Sequence, residues 1–347
     1  MKKLLSMAVV LCMVIGLTAC QSGSSSDKVV LNVYNWGDYI GPEVIAKFEQ
    51  EYGIDVNYEE FATNEEMLAK IETGGTAYDV IFPSEYMIEA MIRRDLLLEL
   101  NYDNLPNFRN IGREFKGLAY DPEQKYSIPY LWGTMGIVYN TKKVSDPVES
   151  WDILWNPKYK GQIIMIDSPR DTIGITLKKL GYSLNTRNLE ELKEAKEELM
   201  KQKALVKSYE VDTYKTQMIA GEAAMSLCWS GDAMLLIDEN PDLAYAIPKE
   251  GTNLWFDAMA IPKTSQHKEE AEKFINFMLR PDIAAENTEY IKFSTANTEA
   301  VNLLPEEMGM NEYMYPKIPL EELGEVFVDL GEFTTEYDRA WTEIKAY

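Results

Sequence analysis

Aromatic rings and carboxylates recur side by side in this chain: Trp36, Asp38 and Tyr39; Ser84 and Tyr86; Asp171; Trp229; then Trp255 and Asp257. Those residue types suit an organic cation. The face of an aromatic ring carries negative quadrupole and attracts an ammonium group by about 0.5–2 kcal/mol. A carboxylate accepts a charge-assisted hydrogen bond from the same group. A primary amine resembles the lysine side chain, whose pKa is about 10.4, so it is charged at neutral pH. A methylene chain between two amines would lie along the flat rings. Each residue also has a plainer use. Tryptophan in an α/β protein commonly packs a core, the role assigned to Trp132, Trp151, Trp155 and Trp341. Asp171 and Asp232 suit helix caps. Tyr and Trp beside Asp describe a sugar site equally well, and composition and spacing do not separate sugar from amine.

The elements that must position these residues alternate between strand and helix. Val29 to Trp36 reads as a strand, and Pro42 opens a helix through Tyr52. Ile54 to Phe61 is a second strand, and Asn64 is expected to cap a helix running to Gly74. Tyr78 to Pro83 is a third strand, followed by a helix containing Ile88, Met91 and Ile92. The middle of the chain repeats the theme. Strand Gln162 to Asp167 precedes a helix from Asp171 to Leu180, and strand Ala223 to Trp229 precedes a helix from Asp232. Between them Leu189 to Lys203 reads as a charged, solvated helix. Leu243 to Pro248 and Trp255 to Pro262 read as short strands, Lys268 to Leu279 as an amphipathic helix, and Leu320 to Val326 and Thr334 to Ala346 as terminal helices. This alternation predicts parallel βαβ units, whose ligands bind at the carboxyl ends of strands. That places Trp36, Asp38 and Tyr39 after the first strand and Ser84 and Tyr86 after the third, on one rim. Two such lobes in one chain predict a cleft between them.

The N-terminal residues suggest export. Lys2 and Lys3 precede an apolar run from Leu4 to Leu17, shorter than the roughly 20 residues of a membrane span. Leu17-Thr-Ala-Cys20 resembles the lipobox of bacterial lipoproteins, with Cys20 as the lipidated residue after a signal peptide of residues 1–19. The Gly/Ser-rich stretch to residue 27 reads as a flexible tether. The other cysteines, Cys12 and Cys228, leave no disulfide framework in the mature chain. The full chain carries a formal charge of −23, which disfavours nucleic acid as a partner. His267 is the single histidine, and no glycine-rich phosphate loop occurs, so the commoner metal and nucleophilic sites are unsupported and no cofactor is expected.

The ordered segments Tyr34-Asn-Trp-Gly-Asp-Tyr39, Tyr78-Asp-Val-Ile-Phe-Pro-Ser84, Tyr126-Ser-Ile-Pro-Tyr-Leu-Trp-Gly133, Trp151-x-x-Leu-Trp155 and Trp255-Phe-Asp-Ala-Met-Ala-Ile-Pro262 resemble those of the bacterial spermidine/putrescine-binding proteins. The resemblance runs from about Leu31 to the C-terminus. It implies the two-lobed type II periplasmic-binding α/β fold, here with lobes of residues 28–134 plus 258–300 and 135–257 plus 301–347. It also implies a monomeric polyamine receptor serving the permease subunits of an ABC importer. By the same resemblance Trp36, Asp38, Tyr39, Ser84, Tyr86, Asp171, Trp229, Trp255 and Asp257 are ligand positions. Three departures accompany them: Ser168 stands where relatives carry aspartate, Phe293 for a tyrosine and Phe327 for a glutamine. These imply a less polar end of the cleft. Other readings are a receptor for a sugar or another cation, a polyamine sensor, and an exported enzyme with paired carboxylates.

Overall fold

The computed structural model describes residues 28–347. The expected signal peptide, Cys12, the Cys20 anchor and the tether lie outside the described residues. Near the N-terminus the chain alternates as its pattern predicts: β1 (Val30–Trp36), α1 (Pro42–Tyr52), β2 (Asp55–Phe61), α2 (Asn64–Thr73), β3 (Val80–Ile81) and α3 (Glu85–Arg93). The helix cap differs by one residue. Thr63, with extended backbone, caps α2 by accepting from the Glu66 N–H at 3.1 Å, which frees Asn64 for another task.

A 14-residue strand, β4 (Ser127–Asn140), then crosses the whole molecule. Beyond it follow β5 (Ile163–Ile166), α4 (Pro169–Lys179), α5 (Leu189–Lys203), β6 (Val206–Glu210), α6 (Tyr214–Ile219), β7 (Met225–Trp229), α7 (Ser230–Glu239) and β8 (Leu243–Ala246). The second crossing strand is β9 (Thr252–Ala260). Helices α8 (Lys268–Met278) and α9 (Pro281–Ile291), strands β10 (Ser294–Thr295) and β11 (Gly324–Val326), and the C-terminal helix Thr334–Ala346 complete the packing. The expected helix Leu320 to Val326 is instead one helical turn, Leu320–Leu323, running into β11, where Gly324 lies too close to Thr252 to carry a side chain.

The sheet runs β2-β1-β3-β9-β4-β7-β5-β6. Its two ends repeat one plan. In the first, β2, β1 and β3 are parallel and β9 joins them antiparallel; in the second, β6, β5 and β7 are parallel and β4 joins antiparallel. β4 links the halves. Its residues to Thr134 pair with β9, and from Met135 onward they pair with β7. The buried core divides at the same place: Ile128, Leu131 and Trp132 belong to one apolar cluster, Met135, Ile137 and Val138 to the next. A third, smaller cluster joins Ile173 and Leu177 of α4 to Leu192, Ala195 and Leu199 of α5 and Tyr337 of the C-terminal helix. α5 is therefore solvated on one face only. Of the four tryptophans expected to pack, Trp132 and Trp151 are buried and Trp155 and Trp341 half-buried. The architecture is the two-lobed type II periplasmic-binding fold, with crossing strands beneath the cleft.

Candidate functional site

Asp257 is the centre of the site. It lies within β9, only 5 % exposed, and both its oxygens are held. Tyr39 donates its hydroxyl to Oδ2 at 2.6 Å, and Ser84 donates to Oδ1 at 2.7 Å. Burial pushes the carboxyl up from 3.8 to about 6, although both hydroxyls pull it down. Tyr39 is itself fixed: Tyr130 donates to its carbonyl at 2.7 Å, and the side-chain amide of Asn287 donates to Tyr130 at 2.7 Å. Rings close around the carboxyl. Phe293 lies 5.5 Å from Tyr39 and 5.4 Å, edge-on, from Trp255. The indole N–H of Trp255 is buried and has no partner. Trp255 can sit so close to β4 because residue 133 is glycine; a Cβ there would be 2.5 Å from the indole.

Asp171 marks the other end. Ser168 caps α4 by accepting the Asp171 N–H at 3.3 Å, so Asp171 stands in the first turn and is not the cap. Burial raises its carboxyl to about 6, against the opposing pull of Ser168, Arg170 and Asn253. Beside it, Tyr86 meets Phe327 edge-on at 6.4 Å. The Phe327 face is covered, because the Arg170 guanidinium lies 4.4 Å from its centroid. Asn64 joins the two ends. Its amide N–H groups reach Ser84 Oγ at 3.1 Å and Tyr86 Oη at 3.0 Å, and its oxygen accepts from the Ser84 N–H at 3.1 Å. Among the described residues no Lys or Arg makes an ion pair with Asp171 or Asp257.

A family profile described as bacterial extracellular solute-binding protein matches residues 43–314. This chain belongs to that family. It is 35 % identical over 335 residues to the spermidine/putrescine-binding periplasmic protein of Salmonella typhimurium, covering 96 % of this chain and 95 % of the relative. Its fold matches the spermidine/putrescine ABC transporter substrate-binding protein PotD of Streptococcus pneumoniae with a TM-score of 0.82 at 42 % identity, covering 92 % and 99 % of the two chains. The Tp0655 (TpPotD) lipoprotein of Treponema pallidum superposes with a TM-score of 0.81 at 28 % identity, covering 91 % and 99 %.

In this solute-binding protein the expected residues are not all equal. Tyr39, Ser84, Trp255, Asp257 and Phe293 form one contact set, while Tyr86 meets Phe327 and Ser168 meets Asp171 as two separate pairs. Trp36 ends β1 half-buried, its indole donating to the Phe82 carbonyl at 2.9 Å just before Ser84. Trp229 is half-buried and packs against both large apolar clusters. Asp38 is exposed on a turn with φ of 53° and joins neither set. Asp232 is not a cap: it is buried in the first turn of α7, accepts from the Tyr214 hydroxyl and lies 3.6 Å from Lys215. Sequence reasoning missed the site contacts of Asn64, Tyr130 and Asn287.

Proposed function

We propose that this chain is an extracytoplasmic receptor that captures a polyamine between its lobes and delivers it to an ABC importer. The observation that carries the reading is Asp257: a buried carboxyl held by two hydroxyls, walled by Tyr39, Trp255 and Phe293, with no basic side chain paired to it among the described residues. Such a group lacks a counter-ion, and an ammonium with a methylene tail supplies charge and apolar surface together. Asp171 gives a second anchor, matched to a ligand with cationic groups at both ends. The polyamine names of the relatives support this choice of cation over a sugar.

Binding bridges the lobes, taken as residues 28–134 plus 258–300 and 135–257 plus 301–347. The change of partner along β4 supports a boundary after residue 134, whereas on β9 Leu254, Trp255 and Phe256 already pack in the first lobe's core, which moves the return boundary to before residue 254. Ligand touching both lobes stabilises the closed form in proportion to its preference for that form. The closed receptor then docks on the permease, and the chain performs no covalent chemistry. The lipobox-like segment supports attachment through Cys20, leaving the receptor a tethered monomer at the outer face of the cell membrane. Among the described residues no helix is long and apolar enough to cross a membrane. Calorimetric titration of putrescine, cadaverine, spermidine and spermine into the purified chain tests the reading. At least one should bind with micromolar or tighter affinity; silence with all four overturns it.

A further inference from the structure

Behind Asp257 lies a second carboxyl, set back from the ring-walled subsite. Glu85 is the first residue of α3 and is wholly buried. It belongs to a short zipper between residues 83–85 and 256–258. The Ala258 N–H donates to the Pro83 carbonyl at 3.1 Å, Ser84 donates to Asp257, and Glu85 Oε2 accepts the Phe256 N–H at 2.8 Å. Glu85 Oε1 is buried and has no partner. The zipper therefore sets two carboxyls on adjacent rungs, one serving the cleft and one behind it.

The groups that face Glu85 do not neutralise it. Asp257 on β9 repels its charge, and Arg170 on α4 favours it. That guanidinium faces Phe327 and bonds the Val328 carbonyl at 3.3 Å and Asn185 at 3.0 Å, while its Nε–H is buried without a partner. Tyr86 and Tyr120 bring phenol groups to the same region, and the Tyr120 hydroxyl is also buried without a partner. A buried carboxylate with one unbonded oxygen and an acidic neighbour is held as the neutral acid.

We propose that Glu85 is a proton-exchanging carboxyl behind the cation subsite, so that an ammonium docking at Asp257 drives the Glu85 proton out to solvent. The inference rests on the cation-binding reading. The step is an ionisation: the Glu85 O–H bond breaks, the proton passes to a buffer base, and the carboxylate remains beside the incoming positive charge. Capture then strengthens as pH rises through the range in which empty Glu85 titrates. The two carboxyls titrate apart, because burial lifts Glu85 to about 8 and Asp257 to about 6. At a pH of about 7.5 the empty site then keeps the larger part of a proton on Glu85 and little on Asp257.

Putrescine titrated into the full chain at pH about 7.5, in buffers of different protonation enthalpy, measures the exchange. The expected result is release of a substantial fraction of a proton per putrescine in the wild type and about zero in Glu85→Gln, which keeps the oxygen that accepts from Phe256. Wild-type infrared difference spectra supply a readout without a variant: the stretch of a protonated carboxyl should vanish on binding. Binding with no buffer dependence, or with the same proton release in Glu85→Gln, overturns the proposal and leaves the receptor reading standing. Absence of any amine binding removes the receptor reading and this inference with it.

Discussion

Replacing Asp257 by asparagine should move stability and binding in opposite directions. The rise of the Asp257 carboxyl from 3.8 to about 6 means that the fold disfavours its charged form. At about 1.36 kcal/mol per unit, the penalty is about 3 kcal/mol once the group is fully ionised. The sign follows from linkage. A carboxyl with a raised folded pKa favours the fold while protonated, so its contribution is fully present below about 4 and is lost as pH climbs through about 6. At pH about 7.5 the empty wild type therefore carries the whole penalty. The asparagine side chain carries no charge and still offers an oxygen to Ser84. Chemical denaturation should find empty Asp257→Asn more stable than wild type at pH about 7.5, by at most about 3 kcal/mol, with the difference closing near pH 4. Calorimetry should find amine binding weakened. Loss of one charge-assisted hydrogen bond is worth about 1.5–3 kcal/mol, or roughly tenfold to 150-fold in affinity. A stability difference that ignores pH would refute the buried-charge argument. Unchanged affinity would refute the role of Asp257 as the partner of the cation.

Three further perturbations probe the frame around that carboxyl. Gly231, the second residue of α7, lies against Phe293 with no room for a Cβ; Gly231→Ala should displace that ring, cost about 1–3 kcal/mol in denaturant unfolding and weaken amine binding in calorimetry. Asn64→Ala removes the buried link between Ser84 and Tyr86, and should lower stability by about 1–3 kcal/mol in the same unfolding assay, with reduced affinity. Cys228 is buried, and its thiol pKa is raised by burial; a thiol reagent should leave it unmodified in the native protein and label it in denaturant.

Much of the frame was legible because local chemistry and tertiary packing agree there. β1 has the Val- and aromatic-rich composition of a strand, and α1 has Pro42 at its start and Gly53 at its end. β4 was not legible as a strand. Pro129, Gly133 and Gly136 interrupt it, and nearly every position is buried on both faces, so no alternation survives. Its glycines make sense only from the neighbours they admit, Trp255 at Gly133 and the Tyr245 ring at Gly136. Asn64 illustrates a second limit. Thr63 and Asn64 both suit a cap, and only the position of α3 shows that the threonine takes that role while the amide reaches Ser84 and Tyr86. Asp257 and Tyr39, 218 residues apart, were named together through the family resemblance; their hydrogen bond needed the fold. Glu85 was overlooked because a glutamate beginning a helix ordinarily faces water, whereas this one is folded under strand β9.

The most direct test compares putrescine with 1,4-butanediol, which keeps the four-carbon chain and replaces each ammonium by a neutral hydroxyl. Titrated into the same protein at pH about 7.5, the diamine should bind with micromolar or tighter affinity, and the diol should give no measurable binding at millimolar concentration. Equal binding of the two, or binding of the diol alone, would contradict a site built around the buried charge of Asp257.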